Sequence, residues 1–256
     1  MAHLPERFDL LTSRPLPVAL NLGLDHGVAT EVGAGRRPAA ARIWNWDETC
    51  AVIGSSQSLS NEIDLDAAAA REVRVLRRSS GGGTMFMDSK NAITYSVIVP
   101  TAALAGLSLR ESYALCDSWV LEAVQGIGVP AFYRPINDIA TAEGKIGGAA
   151  QRRMASGVTI HHATMSWDIN SEGLLAVTRL FREDLGTGGA KSAQKKVVGI
   201  SHYCDVSREK VIDVMIASLE DGRAVRRGTY RPSELVEAQK MVKAKFGSRA
   251  WLHRID

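Results

Sequence analysis

The sequence predicts an α+β domain in which a mixed β-sheet is flanked by helices. Three observations carry this. Short β-branched runs such as Ile93 to Val99 are followed by proline or glycine, as strands are. Longer segments such as Ser108 to Ile127 hold apolar residues at helical spacing, with a hydroxyl residue at the start and glycine near the end. The two kinds interleave without the regular βαβ alternation of a Rossmann fold, and no internal repeat divides the 256 residues.

In chain order, Pro15 and Pro17 lead into an apolar run, Val18 to His26, that predicts a helix with proline in its first turn. Ala41 to Trp46 and Ala51 to Gly54 predict a strand pair around the polar turn Asp47-Glu48-Thr49. Asp64 to Arg71 is an alanine-rich short helix, and Arg74 to Leu76 leads a strand into a glycine turn. Ser108 caps a helix whose stripe is Leu109, Tyr113, Cys116, Val120, Ala123 and Val124. Ala131 to Ala140 and Gly157 to Asp168 predict strands flanking a loop that holds Lys145. Ser207 starts a helix with Val211, Ile212, Met215, Ile216 and Leu219 on one face, and Ser233 starts the last helix, stopped by Gly247. The chain, 1–256, reads as a single domain with a basic helical portion at about 200–256; Arg182 to Val198 is the best candidate hinge.

Composition narrows the function. A hydrophobic content of 45% with 23% charge is that of a globular protein. No apolar run approaches a membrane span, and the N-terminus lacks the apolar core of a signal peptide. Cys50, Cys116 and Cys204 are far apart and odd in number, which fits reduced thiols in a cytoplasmic protein. The net charge of +3 is too small to imply nucleic acid. Residues 191–256 nevertheless carry 14 Lys and Arg against 8 Asp and Glu, either a solvated helical surface or one that steers an acidic partner.

Four segments carry chemistry. In Arg77-Arg78-Ser79-Ser80-Gly81-Gly82-Gly83-Thr84, glycines allow positive φ and close backbone approach, and free amides of such a turn form an anion-binding concavity. In Arg134 to Ile139, the polar pair Asn137-Asp138 interrupts a strand-like run. Gly144 to Ala150 sets Lys145 ahead of small residues, so its ammonium can lie beside backbone. His161 and His162 face opposite sides of a strand and cannot jointly ligate one metal. Gly186 to Ser192 superficially matches a P-loop but lacks glycine before its lysine and a strand ahead of it, so it is read as a loop over the site.

In register, these segments resemble the lipoate–protein ligase A family, which has the biotin/lipoate protein ligase-like (class II synthetase-like) fold of biotin ligases and octanoyltransferases. The family pattern RRxSGGGxVxHD, ND, KxxGxA and HxxLL is matched by Arg77 to Asp88, Asn137-Asp138, Lys145 to Ala150 and His162 to Ser166. Asn21 to Asp25 and Val52 to Gln57 are also similar, so the resemblance covers nearly the whole chain. Met87 stands where the family often has histidine, and Met165-Ser166 replaces the leucine pair.

The resemblance implies ATP-dependent activation of lipoate to an acyl-adenylate, then transfer to a lysine of a lipoyl carrier domain. Lys145 would be catalytic. Arg78, Gly81, Gly82, Gly83, Thr84, Met85 and Phe86 would hold nucleotide and adenylate, with Asn137 and Asp138 bonding the adenylate or Asp138 placing Mg2+. Gly148 and Ala150 would leave room for it, and His162 would shape the pocket. Val52, Ile53, Val75 and Phe86 are candidates for the acyl slot. The chain stops at Asp256, short of the accessory domain of single-chain ligases, and so resembles the large subunit of the bipartite type with a separate accessory subunit. The alternatives are an octanoyl or lipoyl transferase of the same fold, whose nucleophile could only be Cys116 between the glycine turn and Lys145, and a non-catalytic lipoate-binding scaffold.

Overall fold

A computed structural model describes residues 3–180, 186 and 188–256. The chain runs β1 (Arg7–Thr12), α1 (Val18–Gly33), β2 (Ala39–Trp44), β3 (Cys50–Ile53), α2 (Leu59–Glu62), α3 (Leu65–Ala70), β4 (Arg74–Arg77), β5 (Met85–Met87), β6 (Ala92–Pro100) and α4 (Leu109–Gly126). It continues with β7 (Phe132–Arg134), β8 (Asp138–Ala140), β9 (Lys145–Arg153), β10 (Val158–Ser166), α5 (Ser171–Val177), α6 (Arg208–Glu220), β11 (Ala224–Gly228), α7 (Pro232–Met241) and α8 (Arg249–Leu252).

The expected mixed sheet is present. Eight strands follow the order β11-β1-β2-β6-β10-β9-β8-β7, parallel at the β11, β1, β2 end and antiparallel elsewhere. Side chains alternate across it with period two. Ala39, Ala41 and Ile43 of β2 pack with Tyr113, Trp119 and Val120 of α4 and Met215 of α6. Ala40 and Ile98 turn to the other face, against Val28, Ala29 and Val32 of α1. Both faces are therefore dry, as a three-layer α/β/α arrangement demands.

Six local expectations need correction. β2 and β3 do not pair: β3 belongs to a second, three-stranded sheet, β4-β3-β5. Ala131 to Ala140 is not one strand but the hairpin β7–β8, turning at Pro135 to Asn137, where proline removes a ladder donor. Lys145 is the first residue of β9 rather than part of a loop, and Leu109 is exposed while Trp119 takes the buried place on α4. The portion beyond residue 200 is not wholly helical, because β11 pairs in parallel with β1 and ties it to the main sheet. The last helix begins at Pro232, one residue ahead of the expected Ser233, and a π-helical turn at Val242–Phe246 and then α8 follow it.

Two contacts hold this portion in place. α7 lies directly on α1, where Gly23 and Gly27 face the backbone of Ala238 and Glu234. Arg77 donates to the carbonyls of Gly54, Gln57, Leu252 and Ile255, so one buried guanidinium fastens β4 to the residues around α8. Trp251 Nε1 returns a bond to the Arg77 carbonyl at 2.8 Å.

A Cβ on Gly27 would lie 2.3 Å from the Glu234 carbonyl oxygen, which backbone cannot yield cheaply. Gly27→Ala is expected to destabilise the protein by about 1–3 kcal/mol in urea denaturation. Gly126→Ala, whose Cβ would meet nothing within 4 Å, is expected to be neutral or stabilising by up to about 1 kcal/mol. Equal midpoints for the two variants would contradict this packing.

Candidate functional site

β4 and β5 flank β3 on opposite sides, so the chain from residue 78 to 84 must cross the end of β3. That crossing explains the glycines. A Cβ on Gly54 would sit 2.2 Å from the Gly82 carbonyl oxygen, and Gly82 has φ of +91°.

Arg78 is buried beneath this loop. Its Nη2 donates to the carbonyls of Gly81 and Gly83 at 2.6 and 2.8 Å, Nη1 to Val52, and Nε to Ser80 Oγ. In a trans peptide the C=O and N–H point in opposite directions. Drawing the Gly81 carbonyl inward therefore turns the Gly82 N–H outward. Among the described residues, the amides of Gly81, Gly82 and Gly83 have no protein acceptor. Burial pushes the Arg78 pKa down to about 10, which leaves it charged at neutral pH.

Behind the loop a buried polar rail runs back to α1. Ser80 Oγ is 2.6 Å from His162 Nε2, and His162 Nδ1 is 3.2 Å from Asp25 Oδ2. Asp25 also accepts from Arg42 and from Ser96 Oγ. Burial opposes the Asp25 charge, but Arg42 and the bonds from His162 and Ser96 outweigh it and hold the carboxyl below its ordinary range. The neighbouring imidazole, His161, faces the opposite side of β10 and meets Asp117 on α4 at 2.6 Å. His162 thus supports the glycine loop from beneath.

In front of the loop lies a pocket of about 390 Å³. Its walls include Arg78, Gly82, Gly83, Thr84, Met85 and Phe86 from the loop and β5, Asn137 and Asp138 from the hairpin, and Lys145, Gly148 and Ala150 from β9. The sequence-predicted residues thus converge, with two exceptions: Gly81 and His162 lie outside this lining. Asn137 spends its amide on the Ala149 carbonyl at 2.6 Å. Lys145 Nζ stands 2.9 Å from Asp138 Oδ1, and a Cβ at Gly148 would fall 2.1 Å from that same Nζ, so only glycine lets the lysine lie across β9. Burial lowers the Lys145 pKa, with Asp138 opposing.

Asp138 was the expected magnesium ligand. Its other oxygen pairs with Lys195 Nζ, so two ammonium groups flank a fully buried carboxylate. A divalent cation there would face two like charges. Asp138 in this arrangement does not fit the ion.

Lys191 and Ser192, in the expected loop over the site from Gly186 to Ser192, line the pocket, and so does Lys195, which sequence reasoning did not single out. Residue 187 of that loop, and 182–185 and 187 of the candidate hinge, lie outside the described residues. Its continuation, 188–198, crosses the pocket. Ser192 Oγ receives Thr84 N–H at 2.8 Å and Gln57 Nε2 at 3.0 Å, while Ser192 N–H donates to Glu62. Lys145 then exchanges main-chain bonds with Lys196 and Val198. The adjacent Lys195-Lys196 pair was the available signal.

The acyl-slot candidates separate by strand alternation. Ile53 and Val75 pack with Leu59 and Ile63 away from the pocket, whereas Val52 joins Leu22, Trp44, Trp46, Met85 and Met87 around a second cavity. Arg78, Met85 and Thr164 line both cavities. Among the described residues no cysteine lines either one. Cys116 is fully buried under the opposite face, and burial pushes its thiol pKa up.

A family profile described as lipoyl protein ligase A/B catalytic domain matches residues 17–220, and the chain belongs to that family. Octanoyltransferase LipM of Staphylococcus epidermidis is 25% identical over 91% of this chain and 94% of its own length. The protein named LipM in Symbiobacterium thermophilum is 27% identical, over 94% and 96%. Among solved structures, the bipartite lipoate protein ligase of Thermoplasma acidophilum, described with its E2 lipoyl domain, superposes with a TM-score of 0.81 at 21% identity, covering 99% and 98% of the two chains. A lipoate-protein ligase A bound with ATP superposes at 0.78 and 21%, covering 98% and 99%. At these identities the structures establish the shared fold.

The rail beneath the glycine loop predicts a pH response. Burial holds His26, 2.9 Å from Ser79 Oγ, at about 4 despite the nearby Asp25, and it lowers His162 as well. Unfolded imidazoles titrate at about 6.5. As pH falls through the interval from about 6.5 to 4, the unfolded chain binds protons that the native one refuses, so stability is lost. The melting temperature is expected to drop between pH 7.5 and 5, less steeply in His26→Gln. A flat profile in the wild type would mean that these rings are not held neutral.

Proposed function

We propose that this chain is the catalytic subunit of a lipoate–protein ligase that activates lipoate with ATP and passes it to a lysine of a lipoyl carrier domain. One observation carries the reading: Lys145 and Gly82, whose amide the Arg78 contact turns outward, line the same pocket. An anion binder needs both, and an acyl–phosphate junction is an anion that gains charge as it reacts.

In the first step a carboxylate oxygen of lipoate bonds to the α-phosphorus of ATP, and pyrophosphate leaves. Lys145 offsets the repulsion between the two anions as they approach. In the second step the neutral ε-amine of the acceptor attacks the acyl carbon, AMP departs with the electron pair of the broken anhydride bond, and the nitrogen gives up its extra proton to solvent as the amide forms. Lys145 and the Gly82 amide stabilise the oxyanion that forms between. Magnesium, when bound, would offset charge on the triphosphate, but Asp138, flanked by two ammonium groups, does not suit it.

The acyl chain is assigned to the second cavity. At about 10 Å³ it is too small as it stands for more than a water. Its walls include Met85 and Met87, unbranched side chains that re-pack readily. An accessory subunit that assists adenylate formation, as in the bipartite type, is part of the proposal.

The relatives named octanoyltransferase favour a second reading, transfer of a preformed acyl group. For a thiol-dependent transferase the buried Cys116 is the sole cysteine between glycine turn and Lys145. An ordinary core thiol is the simpler reading.

The test is mass gain on an apo lipoyl domain incubated with ATP, magnesium and lipoate, with and without an accessory subunit. Lys145→Ala is expected to lower transfer by about two to three orders of magnitude, while Cys116→Ser keeps the wild-type rate. Modification that needs an octanoyl carrier, ignores ATP and vanishes in Cys116→Ser would establish the transferase. Wild-type rates in Lys145→Ala would remove the central residue of both.

A further inference from the structure

The structure assigns a second anion-binding cation to this pocket: we propose that Lys195 receives the pyrophosphate end of the nucleotide, leaving Asp138 when phosphate arrives. This rests on the ligase reading and extends it to a residue of the segment that crosses the pocket.

The argument is electrostatic and geometric. Lys145 and Lys195 approach the two oxygens of one carboxylate, so Asp138 neutralises only one of them. Arg78 stands close enough to depress Lys145 further. The cluster thus keeps an excess of positive charge against a wall that already includes outward amides. A polyanion supplies what Asp138 does not.

The two lysines are not equivalent. Lys145 springs from the sheet and lies over Gly148, with a side-chain exposure of 26%. Lys195 reaches in from the crossing segment at the mouth and is 38% exposed. That segment is anchored on both sides of Lys195, by Ser192 on Glu62 and Thr84 and by Lys196 and Val198 on Lys145. The backbone that carries the lysine is therefore held on both sides. The deeper cation serves the α-phosphorus, where the carboxylate oxygen bonds. The outer one meets pyrophosphate, which takes the electron pair of the broken α–β phosphoanhydride bond and gains negative charge as it leaves.

The experiment is calorimetric titration of the full chain with inorganic pyrophosphate, ATP and AMP as separate probes. Lys195→Gln is expected to weaken pyrophosphate and ATP by roughly tenfold or more, and AMP by less than about threefold, with Lys195→Arg recovering most of the loss. Circular dichroism checks that the variants fold. Pyrophosphate and ATP bound by Lys195→Gln as tightly as by wild type would overturn the inference. So would an equal loss for all three probes, which would place Lys195 at the α-phosphate. Wild-type protein that binds neither ATP nor pyrophosphate would instead sink the ligase reading, and this inference with it.

Discussion

The Arg78 guanidinium beneath the glycine loop is the contact on which the site depends. A three-glycine run has more conformational freedom than any other segment of its length, and freedom is the wrong property for a binding surface. Arg78 removes it by collecting the carbonyls of Gly81, Gly83 and Val52. The rigid fork of the guanidinium sets the angle between those carbonyls, and peptide planarity then sets the direction of the amides. The residue read from sequence as a ligand-holding cation acts in this structure as a template for the backbone of the glycine loop.

Around this template the protein divides its charges by depth. Behind the loop, Arg42 and Asp25 balance each other while burial lowers the His162 pKa against the pull of Asp25, so the support carries little net field. In front, cations outnumber the buried Asp138. Desolvated charge is costly unless paired, and the front cluster is only half paired. Asp88 and Asp168, also in the lining, reduce that imbalance without placing a second carboxylate between the two ammonium groups.

Legibility of the fold followed the strength of local signals. The helix from Leu109 was readable because Ser108 and Glu111 form a capping box and the buried positions recur at helical spacing. β1 and β11 were not recognised, since their pairing joins Arg7 to Ala224 and the exposed arginines of β11 look like surface loop. The false β2–β3 hairpin arose because two apolar runs around a polar turn look alike whether or not the strands diverge into different sheets. For the site, residue identity was clear and orientation was not. Val52 and Ile53 are adjacent in sequence and so face opposite sides, and only three-dimensional placement shows which side holds the cavity. Lys195 lay in a stretch without periodicity, where nothing local says that a lysine will be carried across to Asp138.

The bonds from Arg77 to the carbonyls of Leu252 and Ile255 set an order on biosynthesis. Arg77 leaves the ribosome roughly 175 residues before its acceptors. Until they emerge, a guanidinium destined for the interior lacks half of its partners, and the adjoining glycine loop hangs from an unfinished strand. A nascent chain can therefore form much of its central sheet while this guanidinium still waits for the carbonyls of its last residues, so the strand that leads into the glycine turn is locked only when the chain is nearly complete.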